Sequence, residues 1–132
     1  GNTYYLMYYM HQSGFTSVIK TAVEQGKLYV GSSASSIAAG PTISIAFWKG
    51  WDDPGYGKEW DLSRTSHGYQ GLSLVADMSI FPHYQPRWKS LVAEKRTTLD
   101  HPVVPLDDTQ GFLIEGKESR LIGKMHDMIP EL

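Results

Sequence analysis

The sequence predicts one α/β domain, spanning residues 1–132 and built on a mostly parallel sheet, and three observations support this fold class. The 132 residues suffice for one hydrophobic core, and 41% hydrophobic with 20% charged residues is an ordinary globular composition. Strand-like and helix-like stretches alternate through the first two-thirds of the chain, which is the order typical of a parallel sheet. Short strand-like runs joined by turn residues follow, and they predict antiparallel additions near the C-terminus.

Two helices open the predicted fold. Asn2 and Thr3 are suited to cap the first helix, in which apolar residues follow at helical spacing: Tyr5, Leu6, Tyr9 and Met10. Gly14 ends this helix. The second helix is predicted over residues 16–25, and Gly26 stops it.

The next stretch predicts a strand that turns abruptly into a helix. A short buried strand over residues 27–30 is followed by Gly31 and by small residues suited to a helix over residues 33–39. A glycine-proline pair breaks this helix, and residues 42–47 predict further extended structure. Residues 49–70 hold four glycines, a proline and two tryptophans without any period, which predicts a long surface loop with at most a turn of helix.

The remaining elements are mostly strands. Residues 71–81 predict a strand that ends at a Pro-His-Tyr sequence, and residues 86–97 predict a helix with proline in its first turn. Further strands are predicted over residues 103–106, 110–115 and 120–123, the last two joined by a hairpin-type turn. The tail that follows is weakly helical.

Composition excludes several classes of function. The net charge is −2, and no basic cluster exists that could hold a nucleic acid or an anionic membrane. The absence of cysteine rules out disulfides, thiolate metal sites and a cysteine nucleophile. No apolar run approaches the length of a membrane-spanning helix, and the N-terminal residues lack the basic region of a signal peptide. We therefore expect a cytoplasmic protein without nucleic-acid or membrane partners.

The turn around Ser33 is the stretch that points to chemistry. A strand followed by Gly-x-Ser and small neighbours is the sequence form of a nucleophile elbow, in which a sharp turn lifts the serine hydroxyl above the sheet edge. Ser35 stands where the Gly-x-Ser-x-Gly pattern has its second glycine, so a Cβ and a hydroxyl are added there. If that position needs a positive φ, the added strain is about 1 kcal/mol or more.

A serine nucleophile needs a base, and five histidines are available. His11 and His126 lie on helix-like segments, His67 lies in the long loop, and His101 precedes a proline. His83 differs from these four because it follows a strand and a proline. It therefore lies at the carboxyl end of a strand, the edge of an open α/β sheet where sites gather and to which the elbow also projects.

The carboxylate that would orient the base stays open at this point. The candidates are Asp52 and Asp53 in the long loop, and Asp107 and Asp108 in the turn after a strand. Acidic residues in turns are ordinarily turn formers, and spacing alone does not choose among the four.

Four segments, in order along the chain, resemble the dipeptidase E (aspartyl dipeptidase) family of serine peptidases, to which cyanophycinases are related. The family carries Gly-Gly-Asn-Thr before a helix, and then an elbow Gly-x-Ser-Ala-Gly-Ala followed by Pro-Thr-Ile. A Gly-Leu-x-Leu stretch leads to Pro-His-Phe/Tyr, and an acidic residue stands three before a small residue that opens a strand ending in acid-Gly. The matching segments are residues 1–3, residues 31–36 with 41–43, residues 71–74 with 82–84, and residues 108 and 111–116.

The resemblance implies a Ser–His–acid triad on a three-layer α/β/α fold with a mostly parallel sheet, similar to the class I glutamine amidotransferases. Ser33 would be the nucleophile and His83 the base. The acid would be Asp108, with Asp107 one register away and the Asp52–Asp53 pair as the runner-up.

The resemblance also implies groups around the triad. The backbone N–H groups of Gly1 and Ala34 would form the oxyanion hole, in which one donor is typically worth about 3 kcal/mol. Arg87 loosely matches the arginine that relatives specific for an N-terminal aspartate place after the histidine. No metal ion and no cofactor are implied.

The resemblance covers the C-terminal two-thirds of the family's fold, so its first βα units have no counterpart in this sequence. We expect a short peptide substrate, an acyl-enzyme, and either a homodimer or a partner that completes the sheet. Two other functions remain open. One is a non-catalytic α/β relative that acts as a binding or assembly module, and the other is a hydrolase of amino-acid polymers such as cyanophycin.

Overall fold

The computed structural model of the protein describes residues 1–75 and 77–124, and the tail predicted to be weakly helical lies almost wholly outside this range. The α-helices in the described part are α1 Thr3–Gln12, α2 Phe15–Glu24, α3 Ala34–Ala38 and α4 Lys89–Lys95. The strands there are β1 Ser79–Phe81, β2 Val103–Pro105, β3 Gln110–Glu115 and β4 Glu118–Gly123. None of these helices is both long enough and apolar enough to cross a membrane.

Helix α1 supplies much of the hydrophobic core. The Asn2 side chain accepts a hydrogen bond from the backbone N–H of Tyr5 at 2.9 Å, so the predicted cap is confirmed. The apolar residues at helical spacing do not all face the core, because Tyr5 and Tyr9 are 49% and 39% exposed. Since the helix is apolar almost all round, its sequence does not fix which face turns inward, and the residues actually buried are Thr3, Tyr4, Met7 and Met10.

The strand predicted over residues 27–30 is wrong. This stretch forms no strand, and no strand of the described residues pairs with it. Leu28 and Val30 are consequently 83% and 82% exposed, whereas the prediction placed them in the core. A run of β-branched and aromatic residues becomes a strand only when a neighbour supplies the hydrogen-bonding partners.

Two further extended predictions give way to irregular structure. Ser44–Phe47 is a 3-10 helix, and the Thr42 hydroxyl accepts the N–H of Ser44 at 3.1 Å as the chain enters it. Residues 71–74 bond instead to the carbonyls of residues 38–41, at the end of α3 and just after it, among them Leu72 N–H to Ala38 at 2.7 Å. Only Ser79–Phe81 remains of the long strand predicted there.

Two small sheets complete the fold. Strands β1 and β2 are parallel, with Ser79 opposite Val103 and Phe81 opposite Pro105. Strands β3 and β4 form an antiparallel hairpin, as the predicted turn indicated. Helix α4 is flanked by single 3-10 turns, Pro86–Trp88 before it and Arg96–Thr98 after it, so the proline-initiated helix is confirmed. The fold class, a parallel pair with helices and antiparallel additions, is confirmed.

Candidate active site

The carboxyl edge of the parallel pair opens into a cleft of about 710 Å³. Ser33, His83, Asp107 and Asp108 all line this cleft, and its apolar walls include Leu28, Leu74, Ile80, Leu106 and Phe112. A smaller cavity of about 30 Å³ is also lined by Ser33 and His83. These two side chains therefore lie where the two cavities meet.

Ser33 occupies a sharp turn immediately before α3. Its backbone has φ +54° and ψ −119°, a conformation that costs a residue with a Cβ about 1–3 kcal/mol. The turn is held by the Ser33 carbonyl, which accepts the N–H of Ser36 at 3.1 Å, the N–H of Ile37 at 3.2 Å and the Ser36 hydroxyl at 2.6 Å. The helix thus starts directly after the serine, and the turn fixes the direction in which the Ser33 side chain points from the backbone.

The strain that Ser35 would carry at a positive φ does not arise. Ser35 lies within α3 and has no positive φ, because the positive φ of this turn falls on Ser33. The Ser35 hydroxyl also adds two contacts, since it accepts the N–H of Ser32 at 2.9 Å and donates to the Ser32 carbonyl at 2.8 Å. The serine that replaces the second glycine of the pattern therefore fastens the turn.

Gly31 is the glycine that this turn does require. A Cβ at position 31 would lie 2.8 Å from the Ser35 carbonyl oxygen and 2.8 Å from a ring carbon of Tyr29. The two crowding groups belong to one contact, because the Tyr29 hydroxyl donates to the Ser35 carbonyl at 2.7 Å. The chain before the turn and the first turn of α3 therefore lie too close together to admit a side chain at position 31.

The pairing of β1 with β2 brings His83 and Asp108 together. The pairing continues past the strand ends, where the Leu106 N–H donates to Phe81 and the Tyr84 N–H donates to Leu106, both at 2.9 Å. His83 lies between Phe81 and Tyr84, and Asp108 lies two residues after Leu106. The His83 ring nitrogen Nδ1 consequently lies 2.6 Å from Asp108 Oδ1, with the two side chains 35% and 73% exposed. His83 also has a positive φ of +55°.

The other candidate acids are bound elsewhere. Asp107 accepts the N–H and the hydroxyl of Thr109, both at 2.7 Å, as a turn-forming aspartate does. Asp52 accepts the N–H of Thr3 at 2.8 Å, and Asp53 pairs with Lys58, whose hydrogen bond holds the pKa of Asp53 below its usual range. Asp52 still lines the smaller cavity, but Asp108 is the carboxylate in contact with the His83 ring.

The remaining predicted site residues are placed differently from one another. Gly1 and Ala34 line the smaller cavity beside Ser33. Because Ala34 is the first residue of α3, its backbone N–H has no acceptor within the helix. Arg87 is exposed, with its guanidinium 4.9 Å from the centre of the Trp88 ring, and it lines neither cavity. Within the described residues, no three His, Asp or Glu side chains gather to hold a metal ion.

Sequence reasoning missed Lys49 and Trp51, at the start of the long loop. The Trp51 ring lies 6.2 Å from the His83 ring, and Lys49 Nζ lies 4.2 Å from the centre of the Trp51 ring. Burial lowers the pKa of Lys49 to about 8, against the opposing effects of Asp52 and Asp108. The only sequence signal was the tryptophan and lysine content of an aperiodic loop.

Comparison with known proteins places the chain in a family. Residues 1–122 match the model of peptidase family S51. The chain is 27% identical over 131 residues to an uncharacterized peptidase of Pasteurella multocida, and the match covers 96% of this chain and 58% of that protein. It is 29% identical over 124 residues to an uncharacterized peptidase of Listeria monocytogenes, and this match covers 89% of this chain and 55% of that protein.

The structural comparison agrees. The fold matches the crystal structure of a protein from Listeria monocytogenes described as a peptidase E, with a TM-score of 0.73 at 26% identity. The match covers 95% of this chain and 57% of that one, so the chain spans a little over half the length of the relatives it matches. The expected fold, similar to the class I glutamine amidotransferases, is thereby confirmed, and the chain belongs to peptidase family S51, the dipeptidase E family.

Proposed function

We propose that this chain carries the catalytic residues of a serine peptidase that cleaves short peptides through an acyl-enzyme. The observation that carries the proposal is the 2.6 Å contact between His83 Nδ1 and Asp108 Oδ1 beside a serine held in a strained turn. A carboxylate on Nδ1 fixes the tautomer in which Nε2 has a free lone pair, and this is the state a general base needs.

In the proposed reaction, Ser33 Oγ attacks the scissile carbonyl carbon while His83 Nε2 takes the hydroxyl proton. The negative charge that develops on the carbonyl oxygen is stabilised by the backbone N–H groups of Ala34 and Gly1, which border the smaller cavity. His83 then gives the proton to the leaving amine. Water, activated by the same ring, hydrolyses the Ser33 ester and restores the free enzyme.

A short peptide is the substrate class that the cleft favours. Its volume of about 710 Å³ lies within the range of sites for small ligands, and its walls combine apolar side chains with a few polar groups. The matched family and the curated relatives are named as peptidases, which supports a peptide substrate. Specificity for an N-terminal aspartate has no comparable support, because Arg87 lies outside the lining of both cavities.

Labelling with a fluorophosphonate probe tests the proposal directly. We expect the folded protein to be labelled at Ser33 and the Ser33→Ala variant to remain unlabelled. Ser32→Ala is the matched control, because Ser32 lines the same cleft and should not be the labelled residue. A wild-type protein that stays unlabelled, beside a serine hydrolase that is labelled, would contradict the proposal and favour a non-catalytic binding module.

A further inference from the structure

The segment that presents His83 is strained and needs support. His83 follows β1 and Pro82 with a φ of +55°, which a residue with a Cβ adopts at a cost of about 1–3 kcal/mol. Its only side-chain hydrogen bond among the described residues goes to Asp108, which is 73% exposed and so cannot fix the backbone firmly. Backbone hydrogen bonds join Leu106 to Phe81 and to Tyr84 on either side of His83, and Pro82 between them accepts a further hydrogen bond from a side chain.

Lys49 makes the contacts that meet this need. Its ammonium donates a hydrogen bond to the carbonyl of Pro82, the residue directly before His83, at 2.5 Å. The same ammonium lies 4.6 Å from the ring centre of Phe81, which precedes Pro82, and 4.2 Å from the ring centre of Trp51, which borders the His83 ring. All these contacts converge on the residues around the histidine.

We propose that Lys49 is a positioning residue, whose charged side chain holds Pro82 and Trp51 and thereby fixes the orientation of the His83 ring. Lys49 needs no contact with substrate for this role. The inference rests on the function proposed above only in treating His83 as the base, since the positioning itself is a matter of geometry.

The charges around Lys49 make the role dependent on pH. Burial lowers the pKa of Lys49 to about 8, Asp52 and Asp108 oppose this shift, and Arg87 adds to it. Among the described residues, the Gly1 amino group and His83 are titratable groups that line the same small cavity. Loss of the Lys49 proton removes its attraction to the two rings and weakens the bond to Pro82, because a neutral amine is a poorer donor than an ammonium.

Nitrogen NMR of the histidine rings tests this inference whether or not the protein hydrolyses peptides. We expect the ring signals of His83 to shift between about pH 7 and 9.5 with a midpoint near the Lys49 pKa of about 8. In Lys49→Arg this transition should be absent, because arginine keeps its charge throughout this range. In K49M the low-field proton signal of the hydrogen bond between His83 Nδ1 and Asp108 should be lost at all pH values.

The matched control is Lys58→Met. Lys58 lies in the same loop, where it pairs with Asp53 and lies 5.1 Å from the centre of the Trp60 ring. The contacts of Lys58 within the described part of the chain do not involve the His83 segment, so its removal should leave the His83 signals unchanged. Identical pH profiles of the His83 ring signals in wild type and K49R would overturn the proposal, and this comparison does not depend on whether K49M folds.

Activity supplies a second readout. If the protein is a peptidase, K49M should lower kcat by about 10- to 100-fold with KM nearly unchanged, and K49R should restore most of it, because displacement of a catalytic group by about 1 Å costs on that order. A K49M variant with normal kcat would contradict the positioning role. Absence of labelling at Ser33 together with the expected NMR result would refute the peptidase function and leave the positioning inference intact.

Discussion

Replacement of Asp108 by asparagine tests the proposed triad most sharply. The change keeps the size of the side chain and removes its charge, so the His83 ring can turn or adopt the tautomer with its proton on Nε2, which is unable to accept from serine. Charges about 4 Å apart interact by about 1 kcal/mol in water and about 4 kcal/mol near a protein surface. Since the Asp108 side chain is 73% exposed, the lower part of that range applies.

We therefore expect D108N to lower kcat/KM by about 5- to 150-fold, from a loss of about 1–3 kcal/mol of transition-state stabilisation. This is well below the roughly 10⁴-fold loss known for a buried triad aspartate. Steady-state peptide hydrolysis measures the effect, and D107N is the matched control, because Asp107 binds Thr109 in the adjoining turn. A D107N variant as impaired as D108N, or a D108N variant with normal kcat/KM, would refute the assignment and direct attention to Asp52.

Three further predictions follow from the contacts described above. Gly31→Ala should lower the free energy of unfolding by about 1–3 kcal/mol in chemical denaturation, because its Cβ would lie 2.8 Å from the Ser35 carbonyl oxygen. Burial lowers the pKa of His11, so the folded state binds fewer protons than the unfolded state, and stability should fall as pH drops below about 6.5; His11→Gln should flatten that dependence in denaturation at several pH values. Ser79→Ala should cost about 1 kcal/mol through its lost bond to His101, without changing probe labelling.

The parts of the fold that sequence analysis predicted are those decided by local interactions. Asn2 caps α1 because its own side chain reaches the backbone three residues on, and the β3–β4 hairpin follows from a glycine at its turn. Ser33 was recognised as the centre of a sharp turn because only small residues and glycine fit around it. In each case the deciding contacts lie within a few residues along the chain.

The parts that sequence analysis did not predict depend on contacts between distant segments. Residues 27–30 have strand-like composition, but whether they form a strand is decided by a neighbour that their own sequence does not specify. The choice of Asp108 over Asp107 depends on the register between β1 and β2, and a shift of one residue would exchange them. The contacts of Lys49 near His83 depend on how the long loop packs against β1, which the sequence around Lys49 does not specify.

A second Ser–His–Asp chain in this protein shows which features of the proposed site matter. The Ser79 hydroxyl lies 2.9 Å from His101 Nε2, and His101 Nδ1 lies 2.8 Å from Asp100, an arrangement with the same order of groups as a catalytic triad. Ser79 is fully buried at the start of β1, where no substrate can reach its hydroxyl. These hydrogen bonds instead tie β1 to the segment before β2. Ser33 differs in that it lines two cavities and stands in a strained turn. Access and backbone strain, more than the presence of the three residue types, therefore favour Ser33 over Ser79 as the nucleophile.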